Sequence, residues 1–167
     1  VYLAGLERGL TPDTIRPDAP VQVQGWRPEN YTRDYRGDVT LSQALAASLN
    51  TVAVRLRQGA RPPAGGPTPQ RPANPSIALG TSEVNLLELT GAYAPFANGG
   101  TGVVPHVITR IRTASGRVLF QRQRLNLGQV VEPRHAAMMN AMMNQTTVSG
   151  TARTVRLPGW IVAGKTG

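Results

Sequence analysis

The sequence has no cysteine, only two histidines, and a single lysine among eighteen basic residues. Without cysteine, neither a disulfide nor a thiolate metal site can form. His106 and His135 lie far apart, with no Asp or Glu at ligand spacing, so neither a metal site nor a cofactor is expected. Aromatic residues make up only 5% of the chain, too few for the row of stacking faces with which proteins grip single-stranded nucleic acid. The net charge of +9 is spread from Arg8 to Arg156 rather than gathered in a run, so it bears on solubility and association, and no nucleic-acid partner is expected. No apolar run approaches the ~20 residues that a helix needs to cross a bilayer, and no signal-peptide pattern is present.

What is there is enough apolar residue, 40% of 167, for a real core. "VYLAGLERG" (1–9) reads as a buried helix closed by Gly9, with Val1, Leu3 and Leu6 apolar. "VQVQGW" (21–26) alternates as a short strand does, and 27–38 is turn-rich. Thr40 can cap a helix through "LSQALAAS", with Leu41, Ala44, Leu45 and Ser48 near one face. A second helix, "TVAVRLRQ", follows Asn50. Residues 59–75 hold six prolines and three glycines, a composition that suits a loop or linker and no regular element. Asn85 with Glu88 forms a capping-box pattern ahead of a helix that contains Pro95. A hairpin turns around Ala114, Ser115 and Gly116. Pro133 opens a methionine-rich helix whose Met138, Ala141 and Met142 stripe points to core packing. Trp160 to Ala163 reads as a strand leading into Lys165. Helices and antiparallel strands without regular alternation indicate an α+β fold.

Two short features could carry chemistry. Ser48 and Asn50 sit at the junction of two helices, where a hydroxyl able to relay a proton and an amide able to hold a carbonyl can share one cavity. The same pair is also what an ordinary helix end looks like. Lys165-Thr166-Gly167 ends an apolar stretch and contains the one lysine. Its compact ammonium has rotatable donors and a shiftable pKa, which arginine lacks, in a chain that otherwise uses arginine seventeen times. Thr166 could bind a carboxylate, and Gly167 would leave the edge open to a ligand. A strand end with a snorkelling lysine is the plainer alternative.

Ser48-Leu49-Asn50 followed by Lys165-Thr166-Gly167 matches the second and third motifs of penicillin-binding proteins and class A β-lactamases. The longer stretches "GDVTLSQALAASLNTVAVRL", "IALGTSEVNLLELTGAYAPFANGG", "PHVITRIRTASGRVLF" and "GWIVAGKTG" resemble the transpeptidase domain of bifunctional class A penicillin-binding proteins. The resemblance covers the chain outside the proline-rich stretch, where relatives usually carry a helix and a longer connection. It implies a β-lactamase/transpeptidase-like fold, a five-stranded antiparallel sheet flanked by helices, of which 1–167 would be one partial domain, incomplete at both ends.

The resemblance also implies a serine acyltransferase that cross-links peptidoglycan stem peptides and binds β-lactams. Ser48 would relay a proton, Asn50 hold the acyl side chain, Lys165 tune the electrostatics, Thr166 bind the substrate carboxylate and Gly167 keep the edge open. The family's nucleophile motif, Ser-x-x-Lys, is absent: Ser42, Ser76, Ser82, Ser115 and Ser149 have no lysine three positions on. The nucleophile is expected upstream of Val1, and the fragment alone is expected to be inactive. The parent would work at the periplasmic face of the bacterial inner membrane, held there by a segment outside this chain, with a glycosyltransferase domain and cell-wall synthesis partners. Two other readings stay open, a non-catalytic module that binds cell-wall peptide or partner proteins, and a D,D-carboxypeptidase or β-lactamase.

Overall fold

The computed structural model describes residues 1–59, 74–123, 125 and 127–167. Nearly all of the proline-rich stretch expected at 59–75 lies outside the described residues. The chain forms two compact units, one of residues 1–83 with 138–167 and the other of residues 84–137.

The first unit begins with α1 (Tyr2–Leu6), which buries Tyr2, Gly5 and Leu6 and ends before Gly9 at φ 90°. β1 (Ile15–Asp18) pairs antiparallel with β2 (Gly37–Thr40), Ile15 opposite Thr40 and Asp18 opposite Gly37. Thr40 then caps α2 (Leu41–Ala46): its hydroxyl accepts from the Gln43 amide at 3.2 Å, and the Gln43 side chain accepts from the Thr40 amide at 2.9 Å. Leu41, Ala44 and Leu45 turn inward as their spacing predicts. They pack into a core shared with Val52, Val54 and Leu56 of α3 (Asn50–Gly59).

Three expectations for this unit need correction. "VQVQGW" is a tight turn and not a strand: Val23 and Trp26 exchange backbone hydrogen bonds of 2.8 and 2.9 Å around Gln24 (φ 50°) and Gly25 (φ 83°). Two successive positive φ values reverse the chain in the type I′ manner, which alternation of side chains does not reveal. Trp160 to Ala163 forms no strand among the described residues, and its Val162 carbonyl is taken by two donors from the preceding helix. That helix, α5 (Pro133–Val148), buries Met139, Met142, Met143, Thr146 and Thr147 in this unit, whereas Met138 is only half-buried and Ala141 is exposed.

The second unit carries α4 (Leu86–Ala97), with Asn85 and Glu88 forming the expected capping box at 2.8 and 3.3 Å. Pro95 lies inside the helix, and its carbonyl accepts from the Gly100 amide at 2.6 Å as the chain leaves. Gly100 (φ 101°) has to be glycine, since a Cβ there would lie 1.9 Å from the Val131 carbonyl oxygen. β3 (Arg110–Arg112) and β4 (Val118–Gln121) form the expected hairpin, with a register irregularity between Ile111 and Arg112. The described residues thus hold two two-stranded antiparallel sheets together with helices, the α+β composition expected of a partial transpeptidase-like domain.

Candidate active site

Ser48 and Asn50 are placed by the way α2 stops. The Ser48 amide donates to the Leu45 carbonyl at 3.2 Å, and the Leu49 amide reaches back to the Ala44 carbonyl at 3.0 Å. These are the two bonds of a Schellman helix end. Ser48 takes its left-handed position at φ 55°, where glycine is usual and a Cβ costs roughly 1–2 kcal/mol. Leu49 is buried and pins the turn, and Asn50 starts α3 on the other side. Ser48→Gly should therefore stabilise the domain by about 1 kcal/mol, whereas Ser48→Ala, which keeps the Cβ, should not. Denaturant titration of both variants checks this, and equal midpoints would show that the turn is unstrained.

A buried polar cluster fixes the start of α3. The Asp18 carboxylate is fully buried and accepts hydrogen bonds from Asn30 Nδ2 at 2.8 Å, the Arg36 amide at 2.9 Å and the Thr51 hydroxyl. Burial alone pushes this carboxyl's pKa up, but the bonds from Thr51, Asn30 and the Arg36 amide, with the Arg36 charge, outweigh it and leave the pKa below the ordinary value. Asn30 Oδ1 in turn accepts from the Thr51 amide at 3.4 Å, and Asn50 Nδ2 donates to the Glu29 carbonyl at 2.8 Å. Asn50 is thus clamped to the 27–36 loop, and its side chain makes no bond to Ser48 or Lys165 among the described residues.

Lys165 arrives on a segment held by α5 in place of a neighbouring strand. Asn144 Nδ2 and the Thr147 hydroxyl both donate to the Val162 carbonyl, at 2.8 and 2.7 Å, and the Thr146 hydroxyl donates to that of Gly164. The Lys165 ammonium then donates to Ser48 Oγ at 2.5 Å, to the Thr166 carbonyl at 2.9 Å and to Thr166 Oγ1 at 3.3 Å. Three donors on one small nitrogen meet three acceptors in different directions, a geometry that a planar guanidinium cannot copy. Partial burial lowers the lysine's pKa, so its ammonium gives up a proton more readily than a solvated one.

Of the five residues singled out from sequence, Ser48, Lys165 and Thr166 are joined by hydrogen bonds, Asn50 is held beside them by its own clamp, and Gly167 is exposed with open space where a Cβ would stand. Thr151 belongs to the same group and escaped the sequence reading, because a threonine just past a helix end carries no distinguishing signal. Its hydroxyl lies 3.3 Å from Ser48 Oγ and 2.7 Å from Thr166 Oγ1. A separate hollow of about 330 Å³, lined by Thr147, Arg156, Leu157 and Trp160 among others, includes none of these residues. Among the described residues no group of three or more His, Asp or Glu side chains is placed to hold a metal ion.

Comparison with known proteins gives a consistent picture. The family described as "Penicillin binding protein transpeptidase domain" matches residues 62–167. Penicillin-binding protein 1A of Neisseria gonorrhoeae is 38% identical across the whole chain, which spans 23% of that relative's length. The Pseudomonas aeruginosa protein of the same name is 37% identical over 72% of the chain, or 16% of its own length. Among solved structures, penicillin-binding protein 1A from Haemophilus influenzae aligns with a TM-score of 0.78 at 24% identity, covering 92% of this chain and 30% of that one. The imipenem acyl-enzyme complex of penicillin-binding protein A from M. tuberculosis aligns with 0.81 at 23%, covering 99% and 45%. These two likenesses carry the fold, an α+β arrangement of helices and antiparallel strands. The chain belongs to the penicillin-binding protein transpeptidase domain family, with class A proteins as its relatives.

Proposed function

We propose that these 167 residues are one partial domain of a D,D-transpeptidase that cross-links peptidoglycan stem peptides through an acyl-serine intermediate. The observation that carries this reading is the Lys165 ammonium donating to both Ser48 and Thr166, which unites two motifs 117 residues apart in one polar site. The attacking serine is assigned to a Ser-x-x-Lys element of the parent protein, since no serine of this chain has a lysine three positions on. In the acylation step, that serine gives its proton to the lysine of its own Ser-x-x-Lys element, its oxygen bonds to the carbonyl carbon of the penultimate D-Ala, and the C–N bond to the last D-Ala breaks. The leaving nitrogen takes a proton from the Ser48 hydroxyl, which regains one from the Lys165 ammonium. An acceptor amine then attacks the ester carbonyl, the C–O bond to the serine breaks, the amine's proton returns through Ser48 to Lys165, and the serine takes back its own proton from the lysine of its Ser-x-x-Lys element.

Thr166, with Lys165 beside it, would seat the terminal carboxylate. Gly167 would leave the edge open, and Asn50 Oδ1 would accept from the acyl side chain's amide. β-Lactams present the same carboxylate and acyl pattern, and an acyl-enzyme with imipenem is known for the M. tuberculosis neighbour. The parent would act at the periplasmic face of the bacterial inner membrane, anchored outside this chain and joined to a glycosyltransferase domain. The joined motifs favour this over a non-catalytic binding module, and the class A relatives favour transfer to an amine over a carboxypeptidase or β-lactamase. The test is to incubate the full-length parent with fluorescent penicillin. A covalent adduct on a serine followed by lysine three positions on is the expected result, lost in Ser48→Ala by about tenfold or more in rate. A parent that takes no label would overturn the assignment.

A further inference from the structure

The Lys165, Ser48, Thr151 and Thr166 side chains close a ring, with Lys165 Nζ donating to Ser48 Oγ at 2.5 Å and to Thr166 Oγ1 at 3.3 Å, and Thr151 Oγ1 spanning the far side. We propose that Thr151 is a positioning residue that couples the proton-relay hydroxyl of Ser48 to the carboxylate-seating hydroxyl of Thr166, an inference that rests on the function proposed above. The backbone is built to hold it there. Gly150 passes so close to α2 that a Cβ would lie 2.2 Å from the Ala46 carbonyl oxygen, and the Thr151 amide donates to that same oxygen at 3.0 Å. Thr151 is thus tied to the helix that ends in Ser48, while its hydroxyl reaches the segment carrying Thr166.

Counting protons shows what the link does. Ser48, Thr151 and Thr166 bring three hydroxyl protons, and the two contacts at Thr151 use two of them, so only one hydroxyl proton of the three remains to meet a ligand. When Thr151 donates to Thr166, Ser48 donates to Thr151, and the free proton is that of Thr166, facing a carboxylate. Ser48 then offers lone pairs outward and can receive a proton. When Thr151 instead donates to Ser48, Thr166 donates to Thr151, and the free proton is that of Ser48, ready for a leaving nitrogen. Rotation of hydroxyls switches between these two arrangements and a third, in which Ser48 and Thr166 both donate to Thr151 and neither has a proton to offer; no bond other than hydrogen bonds changes. Each arrangement also polarises the two oxygens that accept from Lys165.

Because the coupling acts on proton delivery, its loss should fall on the acylation rate constant and not on the first, non-covalent binding of penicillin. In the full-length parent, Thr151→Val keeps the shape and removes the hydroxyl. It should slow acylation by about tenfold, the equivalent of one charge-assisted hydrogen-bond chain, with the non-covalent dissociation constant held within about twofold. Thr151→Ser should restore the rate, and in a Ser48→Ala background Thr151→Val should have little further effect, since the residue acts through Ser48. Thr151→Ala serves the same test if the valine variant does not fold. A parent that is never acylated would overturn the transpeptidase reading and this inference with it. A parent that is acylated normally would leave that reading standing, and the inference alone falls on any of three results: a Thr151→Val rate equal to wild type, no rescue by serine, or an undiminished effect in the Ser48→Ala background.

Discussion

Asp18→Ala should destabilise the domain by about 3 kcal/mol or more and should take the acylation activity with it. Its carboxylate is the single acceptor on which the Asn30 amide group, the Thr51 hydroxyl and the Arg36 backbone amide converge, all at a fully buried point. Removing the acceptor strands these donors away from water, at roughly 1–3 kcal/mol for each group left unsatisfied. Thr51 is the second residue of α3, so the loss falls on the turn that carries Ser48 and Asn50. Asp18→Asn keeps one acceptor oxygen and should cost less. The pH dependence has a definite sign. The folded state binds the Asp18 proton more weakly than the unfolded chain does, so its stabilising contribution is complete above the unfolded carboxylate pKa of about 3.9 and is lost as pH falls through the lower folded value. Thermal denaturation of the full-length parent between pH 3 and 7 should therefore show an acid limb that flattens in Asp18→Asn, and an unchanged limb would remove Asp18 from this role.

That cluster also marks where sequence reading stopped. Local signals translated well: both helix starts with a cap three residues ahead of Gln43 or Glu88 are true capping boxes, and the hairpin around Ser115 forms. Elements defined by partners did not. β1 contains Pro17 and shows no alternation, so nothing local announces a strand that exists because β2 lies beside it. The converse holds at Trp160 to Ala163, where β-branched and aromatic residues suggest a strand, but the Val162 carbonyl is taken by both Asn144 and Thr147 of the preceding helix. In α5 the methionines come in adjacent pairs, so two faces fit the helical period almost equally, and only packing selects Met139, Met142 and Met143 over Met138. The site behaved the same way. Residue types and order marked Ser48, Asn50, Lys165 and Thr166, whereas the strain at Ser48, the clamp on Asn50 and the presence of Thr151 arise from tertiary placement.

Lys165 should show the largest functional effect. Replacing it with methionine, of similar length and without the ammonium, should lower the rate of penicillin acylation by about 10²–10⁴, the range that a positioned proton donor contributes. Lys165→Arg should be nearly as damaging, because a guanidinium stays protonated and its planar fork cannot meet Ser48 Oγ, the Thr166 carbonyl and Thr166 Oγ1 from one point. The same substitution separates function from stability. Burial lowers the lysine's pKa in the fold, so between that lowered value and the unfolded value of about 10.4 the unfolded chain binds more protons than the native state. Stability attributable to Lys165 must then rise with pH across that window, and below it the fold carries a half-buried ammonium at a net cost. Lys165→Met removes this slope, and under the proposed proton relay it lowers acylation as well. A methionine variant that keeps the alkaline rise in stability, or that acylates at the wild-type rate, would show that Lys165 is an ordinary lysine at the end of an extended segment.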